Sequence, residues 1–131
     1  MSHDSSTRPT SVVVRVLTGA VPNARTFRWS VRQLRGVRRR LNTEGTSTRI
    51  RVPQGIGPRG SWGIRAAILV TRPTCLERSL LLQAWLGVRA RAPDVVIGVR
   101  KRSGKIEAHA WVDGRDPRVD PSYKELTRLS P

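Results

Sequence analysis

TCLERSLLLQAWLG, residues 74–87, opens on Thr-x-x-Glu and closes on Gly. Thr74 and Glu77 have the spacing of a capping box: the hydroxyl accepts from the backbone N–H three residues on, and the carboxylate accepts from the N–H of the cap. Thr74 is then the N-cap and Cys75 the first helical residue. The residues that follow are apolar nearly all round, so the helix should be buried, with Gly87 as its stop. Cys75, the single cysteine of the chain, therefore falls where unpaired N–H groups and the positive dipole end favour an anion.

Downstream the period changes from helical to alternating. DVVIGVRK (94–101) and KIEAHAWV (105–112) read as two strands, with Arg102-Ser103-Gly104 as a hairpin connection. DGRDP (113–117) is a turn, and the short run RVD (118–120) before Pro121 reads as a third strand. Upstream, WGIRAAILV (62–70) reads as a short buried helix that ends before Pro73. The stretch 42–61 is a loop dense in Gly, Pro, Ser and Thr. Its GIGPRG lacks the Lys-Ser/Thr ending of a phosphate cradle and is read as plain loop.

Between Arg25 and Leu41, Phe27, Val31, Leu34, Val37 and Leu41 recur at helical spacing. Arg28, Arg32, Arg35, Arg38, Arg39 and Arg40 lie between them, which makes an amphipathic basic helix: a solvated face, or a dock for an acidic partner. Residues 1–10 read as a disordered tail. Helices followed by strands imply an α+β fold, divided into that tail, an N-terminal basic helical region with its loop (11–60) and a core (61–131).

The 131 residues fit one domain. One cysteine excludes an intramolecular disulfide scaffold, and one Cys with two His cannot close a structural zinc site. The apolar run at 11–17 is interrupted by Arg15 and is far short of the roughly 20 residues that span a bilayer, so a cytoplasmic protein is expected. Twenty-five Lys and Arg against nine Asp and Glu give a net charge of +16. Such a field attracts nucleic acid, an anionic membrane or an acidic polypeptide, although GC-rich coding also produces an Arg excess.

A cysteine nucleophile acts as a thiolate, and a free thiol with a pKa of about 8.5 is mostly protonated at neutral pH. A helix N-terminus and a neighbouring imidazole correct that. His109, on the second strand, is the only histidine outside the extreme N-terminus. Asp113, Asp116 and Asp120 are candidates to orient it. Taken singly, a lone cysteine is more often core and a lone strand histidine more often structural; the capping box and the strand order favour the pair. Arg78 lies one turn from Cys75 on the same helix face, as a substrate contact or an ion-pair partner. Trp111 shares a strand face with His109, as a wall of the site or as core, and Trp85 reads as core.

CLERSLLLQAWLG, VVIGVRK and AHAWVDG together resemble the discrete leader peptidases of lasso-peptide biosynthesis, stand-alone cysteine proteases with a transglutaminase-like, papain-related core. The resemblance covers about residues 62–131 and departs in the shortened V-D-G and in Lys105-Ile106-Glu107, where the family often has Pro-Phe. It implies a nucleophile-bearing helix on a small antiparallel sheet that carries His and Asp. Cys75 would be the nucleophile, His109 the base, and an Asp about a dozen residues on would orient it. It also implies a precursor peptide as substrate, a separate leader-binding protein and an ATP-dependent cyclase as partners, and no cofactor. A transamidase or deamidase on the same core, and a basic nucleic-acid-binding module, are the rival readings.

Among the aspartates, Asp113 stands about 13 Å from His109 along one strand, and Asp116 belongs to a turn where Asp-Pro faces solvent. If Asp113 pairs with Arg118, Asp120 falls opposite Trp111 and diagonal to His109, with Cβ atoms about 7 Å apart. Asp120 is the expected third residue.

Overall fold

The computed structural model describes residues 10–116 and 119–131. The tail expected at 1–10, Thr10 excepted, and the Arg118 of the inferred register lie outside the described residues. Three helices, α1 (Thr10–Glu44), α2 (Ser61–Thr71) and α3 (Cys75–Leu86), precede a three-stranded sheet of β1 (Val95–Arg102), β2 (Lys105–Val112) and β3 (Lys124–Leu129). The α+β expectation holds.

The basic helix begins much earlier than its apolar periodicity announces, because α1 runs through Pro22. The Pro22 carbonyl accepts a bond from the buried Thr26 hydroxyl at 2.8 Å. Leu34 and Val37 are buried and Phe27, Val31 and Leu41 half-buried, as the spacing predicts. Trp29 joins them, its indole N–H donating to the Arg51 carbonyl at 3.3 Å. The loop after α1 holds a short 3-10 turn, Gly45–Ser47, and contributes Ile50 to the core.

α2 lies against α1 through Gly63, Ile64 and Ala67. A Cβ on Gly63 would lie 2.8 Å from the Phe27 backbone nitrogen and closer still to the Asn23 carbonyl oxygen, so the two helices cross at backbone contact. The expectation of a buried helix is corrected here. Trp62, Leu69 and Val70 face solvent, because α1 covers only one side of α2. The helix ends at Arg72, which takes a left-handed conformation at φ 47°.

The capping box at α3 is present in full: Glu77 N–H donates to the Thr74 hydroxyl at 3.3 Å, and Thr74 N–H to the Glu77 carboxylate at 3.0 Å. Gly87 caps the other end in an ordinary helical conformation, φ −66°. Its requirement is room, since a Cβ there would stand 3.0 Å from that of Ala92.

β1 and β2 form an antiparallel hairpin closed by Ser103 and Gly104, at φ 50° and 77°. These positive values are those of the two-residue turns that match strand twist. The third strand departs from expectation. The described part of the run 118–120 is not strand; β3 starts at Lys124 and pairs antiparallel with β1, giving the order β2-β1-β3. Asp120 therefore sits in the turn leading into β3, and the sheet carries His109 but not Asp120.

Val95, Ala110 and Leu129 point from the sheet into one core with Trp29, Leu34, Val37, Ile50, Ile64, Leu80 and Leu81. Alternation puts His109 and Trp111 on the opposite face of β2. Polar bonds fasten the layers. The Gln83 amide donates to the Pro93 and Leu129 carbonyls at 2.9 and 2.8 Å, and Arg38 of α1 forks onto the Glu77 carboxylate at 2.9 and 3.3 Å.

Candidate active site

Cys75 occupies the first position of α3, half-buried and reduced, immediately after its cap. Glu77, the acidic member of the box, has a side chain only 4% exposed. Burial works to raise its pKa, but the Arg38 guanidinium and the Thr74 N–H and hydroxyl outweigh it and hold the carboxyl below its ordinary range. The helix start is thus fixed from two sides, by its own cap and by α1. The backbone N–H groups of the first turn stay oriented around the sulfur.

α3 lies along β2, and the residues that meet show its direction. Trp85, Leu86 and Arg89 share a cleft with Arg115. One turn earlier, Arg78, Ser79 and Leu82 share a cleft of about 210 Å³ with Trp111, Val112, Arg115 and Asp116. Helix and strand therefore advance in opposite directions. One further turn back along α3 is Cys75, on the same helix face as Arg78, Ser79 and Leu82. Two residues back along β2 is His109. At about 1.5 Å per residue in the helix and 3.3 Å in the strand these are similar steps, which puts Cys75 and His109 at a similar height along α3 and β2. Cys75 packs against the core, and the His109 Cα lies on the outer-face register. β2 is an edge strand, which lets Trp111 line the helix-side cleft although its Cα lies on the outer-face register.

His109 belongs to an aromatic cluster. Its ring lies 6.0 Å from Trp111, stacked, and 5.5 Å from Tyr123, tilted. The Arg100 guanidinium sits 4.5 Å over the Tyr123 ring. Gly98, the β1 partner of His109, is small for this reason: a Cβ there would be 2.7 Å from the Trp111 ring.

The three aspartates part company. Asp113 accepts from Arg128 at 2.6 Å. Asp116 lines the Trp111 cleft. Asp120 accepts from Arg100 at 2.6 Å and from the Ser122 N–H at 2.9 Å, and its own carbonyl accepts the Tyr123 N–H. The Ser122 bonds, with Arg100 adding to them, hold the Asp120 carboxyl below its ordinary pKa against the opposing effect of desolvation. The strand pairing expected to bring Asp120 beside His109 is absent, since β3 pairs with β1. Asp120 instead joins the His109 cluster through Arg100 and the Asp120–Tyr123 turn.

Arg78 and Trp111, the two expected substrate contacts, line one cleft. Trp85 packs against the core as expected, with its indole nitrogen buried and unbonded among the described residues. The sequence alone assigns Arg100, Tyr123 and Arg115 no part in the site. Arg100 lies within VVIGVRK, where nothing in the spacing gives it a role. The position of Tyr123, three residues after Asp120, signals nothing until the turn is seen. Among the described residues no three His, Cys, Asp or Glu side chains gather as a metal site requires, and no helix is long and apolar enough to cross a membrane.

A family model for the transglutaminase-like superfamily matches residues 18–130, well over half of the chain. The match reaches further toward the N-terminus than the motifs around Cys75 and His109 and takes in most of α1. Comparison with curated proteins and with solved structures gives no match.

Proposed function

The chain belongs to the transglutaminase-like superfamily, and from that premise we propose that it is a cysteine peptidase which removes the leader from a lasso-type ribosomal precursor peptide. The observation that supports this most is the position of Cys75, first in a doubly fixed helix that packs against the strand of His109. In this reading His109 takes the Cys75 proton, and the thiolate adds to the scissile carbonyl carbon. Oriented N–H groups at the start of α3 stabilise the oxyanion that forms. Collapse expels the amine, which takes the proton from His109, and leaves a thioester. Water, deprotonated by His109, adds to the thioester, and the thiolate departs with the leader carboxylate released. Asp120 orients the imidazole through Tyr123 and Arg100, and Arg78 and Trp111 contact the substrate.

The partners follow the resemblance: a separate leader-binding protein presents the precursor in the cytoplasm, and an ATP-dependent cyclase takes the released core. Among the described residues of 10–60 there is no strand, which supports recognition of the leader by another chain. No cofactor enters the chemistry. A transamidase or deamidase would form the same thioester and differ only in what resolves it.

Mass spectrometry of a precursor peptide incubated with this protein and the leader-binding protein tests the reading. Hydrolysis gives leader plus core with one added water, whereas transamidation gives an amine adduct. Cys75→Ala is expected to abolish cleavage while circular dichroism and thermal melting stay unchanged. Cleavage retained by that variant would sink the assignment. A precursor cut equally fast without the second protein would place leader recognition in this chain.

A further inference from the structure

Arg25, Arg28, Arg32, Arg35 and Arg39 recur on α1 at alternating steps of three and four, so they form one stripe along its exposed side. At about 1.5 Å per residue the stripe is roughly 21 Å long. Among the described residues none of the five takes part in an ion pair; Arg38, off the stripe, is the α1 arginine spent on Glu77. α1 holds no acidic residue before Glu44. Each neighbouring pair in the stripe is a like-charge pair that destabilises the helix, so the row is held against its own repulsion.

Two grooves flank it. One of about 430 Å³ is lined by Arg25, Arg28 and Arg32 with Trp29, Pro53 and Ile56. The other, about 300 Å³, is lined by Arg35 and Arg39 with Leu34, Thr71, Pro73 and the paired Arg38 and Glu77, whose charges offset each other. The first places cations at the rim of an apolar floor, and the second sets them beside Leu34 and Pro73.

We propose that this stripe docks an acidic, amphipathic polypeptide segment, its carboxylates on the five arginines and its apolar side chains in the two grooves. Charge complementarity selects an anion. The floors select a polypeptide over a nucleic acid, because a nucleic-acid face wants exposed aromatics to stack bases or a reader motif. Trp29, the aromatic that lines the first groove, is 6% exposed with its N–H committed to Arg51. The second groove borders the start of α3 at Glu77, but the argument uses neither Cys75 nor His109, and the inference does not depend on the catalytic reading.

The test uses the full chain carrying Cys75→Ala, so that binding is read without turnover. The probe is a fluorescein-labelled peptide with Glu at alternating steps of three and four and Leu between them. Fluorescence anisotropy should show saturable binding that weakens with salt. Arg28→Gln with Arg32→Gln should weaken it by about tenfold or more, whereas Arg89→Gln with Arg91→Gln, exposed but off the stripe, should change it less than about twofold. Circular dichroism confirms that each variant folds. The idea is overturned if the Glu→Gln form of the peptide binds equally well, if both double variants lose binding alike, or if no binding is seen. Tighter binding of a single-stranded or duplex oligonucleotide than of the peptide, lost on the same Arg28 and Arg32 changes, would overturn the choice of partner.

Discussion

Asp120 differs from its two neighbours in the company it keeps. Its turn sets Tyr123 against His109, and its carboxylate reaches Arg100, the cation over that tyrosine. Asp113 is spent on Arg128 at the far end of β2, and Asp116 faces the cleft below Trp111. Made separately, Asp120→Asn should lower the cleavage rate by roughly 10²–10⁴-fold, and Asp113→Asn and Asp116→Asn should leave most of it. A larger loss at either of those two, in parallel rate measurements, would move the orienting role there. At this scale the sequence was informative where the chemistry is local. Thr74, Cys75 and Glu77 lie within four residues and determine one another's geometry. Arg100 and Tyr123 reach His109 from another strand and from a turn, a meeting that no spacing along the chain announces.

The crossing of α1 and α2 rests on a missing side chain. Gly63→Ala would gain helix propensity, about 0.8–1.0 kcal/mol, but would push a methyl group into the α1 backbone at Asn23 and Phe27. Overpacking of this kind costs about 1–3 kcal/mol, so chemical denaturation should show a net loss of stability. Gly36→Ala, in the same pair of helices but with nothing within 4 Å of the new Cβ, should show a gain. If both variants stabilise, the helices do not meet at Gly63. Elements were legible to the extent that their signals were self-contained. The hairpin turn and the start of α3 carry their own residues. The upstream half of α1 did not, since Pro22 and the Val-rich run argue against a helix and the packing of α2 argues for one. β3 was misplaced because Leu129 is matched to Val95 by the shared core, a choice made across the molecule.

Arg38 and Glu77 join the first helix to the start of the third, and this joint makes the stability of the whole molecule depend on pH. The folded state holds the Glu77 carboxyl below its ordinary pKa. Its contribution is therefore complete above the unfolded value, about 4.3, and is lost as pH falls through the lower folded value. Glu77→Gln keeps a side chain suited to a capping box but cannot titrate. Denaturation midpoints measured from pH 6 down to pH 3 should fall more steeply for the parent than for this variant, and parallel curves would remove Glu77 from the acid response. A different joint bears on the order in which the chain is made. Gln83 donates to a carbonyl 46 residues further on, so a ribosome finishes α3 well before the second partner of its buried amide exists. Until Leu129 has been synthesised, seating α3 would leave the amide with the Pro93 carbonyl alone and one of its two N–H groups unpaired, at a cost of about 1–3 kcal/mol. A nascent chain thus carries Cys75 on a helix whose buried amide is fully paired only once β3 has been made.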